Sequence, residues 1–209
     1  MKPARSLAAL TGIVALLAAA PARTETQRLT GAGTVYRVDV DSWIQTGRPA
    51  GTVLRLTRQK PRGGKELSNL PGTDDVTIDR DPALEIDPTS GKPVVVWARG
   101  DGAGFNLYIS RFDGSWSAPR LLVKLEGDDL EPQVRFGERY LHVSWRQSYA
   151  GQITYWRSSF QAATLEQVFG PERVPTNDAL SLPTDGASPD ATEAPADAPG
   201  PDDEPVSIV

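Results

Sequence analysis

The sequence predicts an all-β domain of antiparallel, propeller-like blades, about three of them. Three observations carry this. Apolar residues alternate with polar ones at period two, in short runs bounded by Gly, Pro and Asp. A unit of about four such runs repeats at an interval near 50 residues. Helical periodicity is confined to Gln161–Val168, a short window with no capping residue.

Alternation opens the chain's β content. In Thr34–Val40, Tyr36, Val38 and Val40 alternate with Arg37 and Asp39, and in Thr52–Arg58 Leu54 and Leu56 alternate with Arg55 and Thr57. Each pattern fits a strand with one face in a core. Gly-rich breaks at Gly31–Gly33, Gly63-Gly64, Gly100–Gly104 and Gly151 separate the runs.

The repeat is clearest between the stretches beginning at Asp81 and at Glu131. Each starts with an acidic residue and Pro, continues as a strand (Ala83–Ile86; Gln133–Phe136), and turns into a second strand ending in Trp (Val94–Trp97; Leu141–Trp145). A third strand holding Tyr and Ser follows a Gly-containing loop (Asn106–Ser110; Ile153–Ser158), and Arg120–Val123 matches Glu172–Val174 as a fourth. The offsets are 50 at Pro82/Pro132, 48 at Trp97/Trp145 and 47 at Tyr108/Tyr155. A more degenerate unit near 31–72 precedes them, with Gly51–Arg58 and Lys65–Leu70 as its third and fourth strands. Closed propellers take four blades or more, so three units leave three solutions. The arc is open, it closes by self-association into a homo-oligomer, or the strands belong to an irregular sandwich.

The run Asn106–Pro119, with Ser110, Asp113, Gly114 and Trp116, resembles the Asp-box turn of sialidase-type β-propellers. It departs by one residue in spacing, and the following unit lacks the Asp and Gly. The resemblance implies that the Asp ties the hairpin and the Trp packs between blades, so it bears on architecture. Sialidase chemistry, as the family implies it, also needs an arginine cluster and a Tyr nucleophile backed by Glu. No arginine here lies in a recognisable motif of that kind.

The remaining segments read by composition. Residues 1–22 carry Lys2 and Arg5, an apolar stretch from Leu7 to Ala20 broken only by Thr11 and Gly12, and Ala20-Pro21-Ala22 before Arg23. That is the form of a cleavable secretory signal, too short to span a bilayer, and it predicts export to periplasm or medium with no stable membrane insertion. Residues 23–176 form the domain. Residues 177–209 hold eight acidic residues and no basic or aromatic one, among many Pro and Ala, the composition of a disordered tail.

Charge and residue types narrow the chemistry. The net charge of −5 sits in the tail, leaving the domain nearly neutral and without a nucleic-acid footprint. No Cys is present and His142 is the only histidine, which excludes thiolate chemistry and the usual zinc sites, so no cofactor is expected. His142 reads as a half-exposed strand residue. The acidic runs Asp74, Asp75, Asp79, Asp81 and Asp128, Asp129, Glu131 offer carboxylates for glycoside hydrolysis or oxygen ligands for calcium, without the order of a strong calcium loop. Their simpler role is to cap turns. Among five Trp residues, Trp97, Trp116 and Trp145 read as packing residues. Trp156, with Tyr155 and Trp43, reads as an exposed aromatic surface for a glycan or protein ligand.

The favoured functional expectation is an exported, non-catalytic module that binds or scaffolds a carbohydrate or protein. A sialidase-like glycoside hydrolase is the alternative. The mature exported protein is expected to begin at Arg23; intact mass spectrometry that finds residues 1–22 retained contradicts the signal.

Overall fold

The computed structural model describes residues 26–29, 33–43 and 51–175, and everything in them that is regular is β. The signal segment 1–22 and the tail 177–209 lie outside the described residues. Among the described residues no helix is long and apolar enough to cross a membrane.

Thirteen strands form three antiparallel sheets in chain order. Blade 1 holds β1 (Thr26–Leu29), β2 (Val35–Trp43), β3 (Gly51–Gln59) and β4 (Lys65–Asn69). Blade 2 holds β5 (Asp79–Ile86), β6 (Pro93–Gly100), β7 (Phe105–Asp113) and β9 (Arg120–Val123), with the two-residue β8 (Ser115–Trp116) on the end of β7. Blade 3 holds β10 (Asp128–Phe136), β11 (Tyr140–Tyr149), β12 (Gln152–Gln161) and β13 (Gln167–Val174). Short connections force each strand antiparallel to the last, so the sheets build up as meanders. The strands predicted for the third and fourth places of the first unit are β3 and β4. That unit opens at Thr26, earlier than the repeat suggests.

Side-chain direction then stacks the sheets. Strand β6 reads Val94-Val95-Val96-Trp97-Ala98, all buried. Val94, Val96 and Ala98 pack with Leu141, Val143 and Trp145 of blade 3. Val95 and Trp97 point the other way and pack with Tyr36, Val38, Leu54 and Leu56 of blade 1. Blade 2 is thus apolar on both faces, which is why its central strand shows a continuous hydrophobic run rather than alternation. Blades 1 and 3 have one apolar face each. Their outer faces carry ion pairs, Arg37 with Asp39 at 2.9 Å and Arg55 with Asp41 at 2.8 Å on blade 1, and Arg157 with Glu172 at 2.9 Å on blade 3.

The helix-like window 161–168 is corrected: it comprises the end of β12, a turn and the start of β13. Leu165 has a left-handed φ of 60°. The carbonyls that a helix would use accept instead from two blade 2 arginines. Arg111 donates to Ala162 O at 2.7 Å and Ala163 O at 2.9 Å, and Arg120 donates to Thr164 O at 3.3 Å and Leu165 O at 2.6 Å. Contacts with a neighbouring sheet override the local periodicity.

Trp97 is fully buried between blades 1 and 2. Trp97→Ala is expected to destabilise the domain by about 3–5 kcal/mol in urea denaturation, from cavity formation; a loss below about 1 kcal/mol would contradict the packing.

Candidate functional site

The first strand of each blade is the innermost, and β5 lies beside both β1 and β10. Arg28 of β1 reaches Glu85 of β5 at 3.3 Å. The same sequence device opens β5 and β10: Asp79-Arg80-Asp81-Pro82 and Asp129-Leu130-Glu131-Pro132.

The first aspartate of each device is structural. The Trp97 indole Nε1 donates to Asp79 at 2.7 Å, and Trp145 Nε1 donates to Asp129 at 2.9 Å. An indole that is buried needs an acceptor, and a buried carboxylate needs donors, so each satisfies the other. The Asp79 main chain also meets blade 1, its carbonyl accepting from the Thr52 hydroxyl at 2.7 Å. Arg99 reaches the Asp79 carboxylate only at 3.3 Å and also binds Asp75 and Thr77. Burial, opposed by Arg99 and by the Trp97 indole, pushes Asp79 up to about 7. Burial likewise raises Asp129, against the Leu125 amide and the Trp145 indole.

The third residue of each device sits in a β-bulge. The register along β5 jumps from Arg80, opposite Ala98, to Ala83, opposite Val96. In β10 it jumps from Leu130, opposite Arg146, to Gln133, opposite Ser144. One extra residue on the bulged strand, together with a Pro that has no N–H to give, leaves Asp81 and Glu131 out of the ladder. Both adopt left-handed backbone, with φ of 51° and 52°. Asp81 accepts from Arg80 Nε at 2.9 Å, and Glu131 from Arg146 at 2.8 Å. The Glu131 side chain is 56% exposed.

The residues singled out from sequence fall elsewhere. Trp156 is half-buried against the core between blades 2 and 3, its Nε1 donating to Gln147 at 3.0 Å and Thr154 at 2.9 Å, so the expectation of an exposed ring does not hold. It lies across from Trp145 on the inward face of blade 3. Tyr155 is half-buried on the outward face, opposite Arg146. Trp43 closes β2, and its side chain lies outside the described part. His142 is corrected from half-exposed to buried, with Nδ1 2.8 Å from the Ser159 hydroxyl, because β11 has a strand on either side.

The Asp-box-like turn keeps its shape and changes its bonding. Ser110 Oγ donates to Ser117 O at 2.7 Å, Gly114 takes the left-handed φ of 78°, and Trp116 meets Phe112 edge-on at 5.5 Å while packing against the blade 1–2 core. Asp113 does not tie the hairpin. It is 77% exposed and pairs with Lys92 across β6–β7 at 2.6 Å. Arg99, beside the glycine-rich loop, is likewise engaged with its acidic neighbours. A groove on the outer face of blade 1, lined by Arg37, Gln59 and Lys65, lies away from the inner-strand carboxylates. Among the described residues no three His, Asp or Glu side chains gather to hold a metal ion.

Sequence reasoning named Asp79, Asp81, Asp129 and Glu131 as carboxylates and missed their division of labour. The signal was present, since an Asp also stands three residues upstream of each Pro, at the same offset of 50 (Asp79 and Asp129).

Solved structures resemble this arrangement. One is Bacteroides ovatus Xyloglucan PUL GH43B, 16% identical with a TM-score of 0.46, matched over 72% of this chain and 29% of that one. Another is a thermostable family-43 glycoside hydrolase, 15% identical with a TM-score of 0.49, matched over 72% of this chain and 58% of that one. The architecture is of the β-propeller type. At such identity the likeness is one of fold, and the chain spans less than two thirds of either protein's length. No model of a known protein family matches the sequence, and no curated protein does. Sialidase-type repeats in particular find no support, in keeping with the bonding of Asp113. The expectation of a non-catalytic, non-enzymatic module is set against this finding: both structures that resemble the chain carry the names of glycoside hydrolases.

The raised Asp79 makes a pH prediction. Its folded value lies above the unfolded one near 3.8, so the native state keeps a proton that the unfolded chain loses between about pH 4 and pH 7. The stability contributed by neutral Asp79 is complete below pH 4 and is lost as pH rises to 7. Relative to Asp79→Asn, wild-type unfolding free energy should therefore fall from pH 4 to pH 7 and level off above; a rise over that window would show an ionised, well-paired carboxylate.

Proposed function

We propose that the domain is a glycoside-hydrolase-type propeller segment, exported from the cell, in which Asp81 and Glu131 are the carboxylate pair acting on a glycosidic bond. The observation that carries this reading is the pair of equivalent bulges. Left-handed backbone at a residue other than Gly costs on the order of 1 kcal/mol or more, and Gly or Asn would relieve it. The chain instead holds an Asp and a Glu there, on two innermost strands of adjacent blades. Bulges re-aim side chains, and strain of this kind gathers at functional sites.

The chemistry follows from the two environments. Glu131 is the longer and more exposed of the pair and fits the acid that protonates the leaving oxygen. Asp81, held by Arg80, fits the base that takes a proton from the attacking water. The proton given by Glu131 leaves on the departing alcohol, and the water oxygen bonds the anomeric carbon.

A panel of nitrophenyl and dinitrophenyl glycosides tests this. Glu131→Gln is expected to lower kcat by about 10²–10⁴-fold on nitrophenyl substrates, with recovery on the better dinitrophenyl leaving group. Asp81→Asn is expected to lose activity on both, while circular dichroism reports a folded protein. Wild-type protein that hydrolyses none of the panel, or variants as active as wild type, would overturn the assignment.

A further inference from the structure

Each blade ends on an outermost strand, and the three treat that edge differently. In blade 3 the edge strand β13 contains Pro171, which has no N–H for an incoming strand. In blade 2 the four-residue β9 follows Pro119, and its Arg120 is held by the Thr164 and Leu165 carbonyls of blade 3. Blade 1 ends on β4, Lys65-Glu66-Leu67-Ser68-Asn69, with every residue exposed and no Pro. Among the described residues no strand pairs with its free side. An open edge of that kind is a template for one more strand.

The register makes the outer side of blade 1 a single surface running up to that edge. Gln59 lies opposite both Val35 and Lys65, Thr57 opposite both Arg37 and Leu67, and Arg55 opposite both Asp39 and Asn69. Directly paired residues share a face of the sheet. Along it Arg37, Thr57, Gln59, Lys60 and Lys65 line a groove of about 360 Å³ that has no acidic residue in its walls. Arg37 pairs with Asp39, and Lys60 with Glu66. Lys65 and Arg62, in the turn before it, pair with no carboxylate among the described residues. Two residues on, Leu67 is 61% exposed, the most exposed large apolar side chain described. The edge thus presents cations first and an apolar side chain next.

The chain itself carries a segment of the complementary pattern. Asp202-Asp203-Glu204-Pro205-Val206-Ser207-Ile208-Val209 sets three acidic residues ahead of Val206, Ile208 and Val209, which are the only Val or Ile residues in 176–209. We propose that this segment adds to the free side of β4 as a parallel fifth strand of blade 1. With Val206 beside Leu67, Glu204 falls beside Lys65, and Asp202 and Asp203 fall beside the turn that holds Arg62. Glu204 and Val206 make the ladder, so Pro205 takes a place facing away from β4, where its missing N–H costs nothing. Antiparallel pairing would carry the acidic residues past Asn69, away from Lys65 and Arg62. Asp202 is 28 residues on from Val174, a length that spans up to roughly 90 Å when extended. Blade 1 stands two sheets from blade 3, on the order of 20 Å through the packed centre. The docked segment ties the end of blade 3 back to blade 1.

Amide hydrogen exchange of the full chain, read by mass spectrometry, tests the docking. Peptides covering 64–70 and 202–209 are expected to exchange at least about tenfold slower in wild type than in a Val206→Asp, Ile208→Asp double variant, each against its intrinsic rate. A peptide from β6 should not change, which shows that the blades stay folded. Lys65→Glu should speed exchange of both peptides, and Lys65→Glu combined with Glu204→Lys should slow them again. Wild-type 202–209 exchanging at its intrinsic rate overturns the proposal, as does protection of 64–70 that the double variant leaves untouched. A charge swap that leaves both peptides fast overturns the parallel alignment. Protection lost on tenfold dilution, with a dimer mass before it, assigns the strand to a second copy and overturns the intrachain form.

Discussion

The arrangement of the domain depends on a buried indole that donates to a buried aspartate, made once in blade 2 and again in blade 3. Trp97 with Asp79 and Trp145 with Asp129 each join the innermost strand of a blade to its second strand. Neither partner is tolerable alone in a core: an indole N–H without an acceptor and a carboxylate without donors both forfeit hydration. Made together they pin the start of the inner strand and so fix the register in which the bulge two residues later must occur. The strained positions of Asp81 and Glu131 follow from that register.

Much of this was legible in the sequence. The repeat and its tryptophans predicted three units of four strands, and the alternation in Thr34–Val40 and Thr52–Arg58 predicted which residues of blade 1 face the core. The all-valine centre of β6 was less informative, because a strand buried on both sides has no polar face to set its period. The window at 161–168 misled for a different reason. Its carbonyls are bound by Arg111 and Arg120, some 40 to 50 residues away, and no local pattern encodes such a partner.

The aromatic residues show where sequence reasoning about sites stops. Alternation assigned Trp156 to an exposed face, but Trp156 lies across from Trp145 and its indole is satisfied by Gln147 and Thr154. The acidic runs were visible, yet their sorting into anchors and strained carboxylates needed the bulge, which appears only when the two registers are compared.

The faces at the ends of the arc add a constraint. Blade 2 is sandwiched by apolar neighbours, whereas the outward sides of blades 1 and 3 carry ion pairs. The indole–carboxylate anchors are what distinguish the blades that carry the bulges. Their most direct test is amide and indole hydrogen exchange followed by ¹⁵N–¹H NMR. The Nε1 protons of Trp97 and Trp145 should exchange only with global unfolding, in step with the core amides of β6 and β11. Exchange of either proton orders of magnitude faster than those amides would contradict the account.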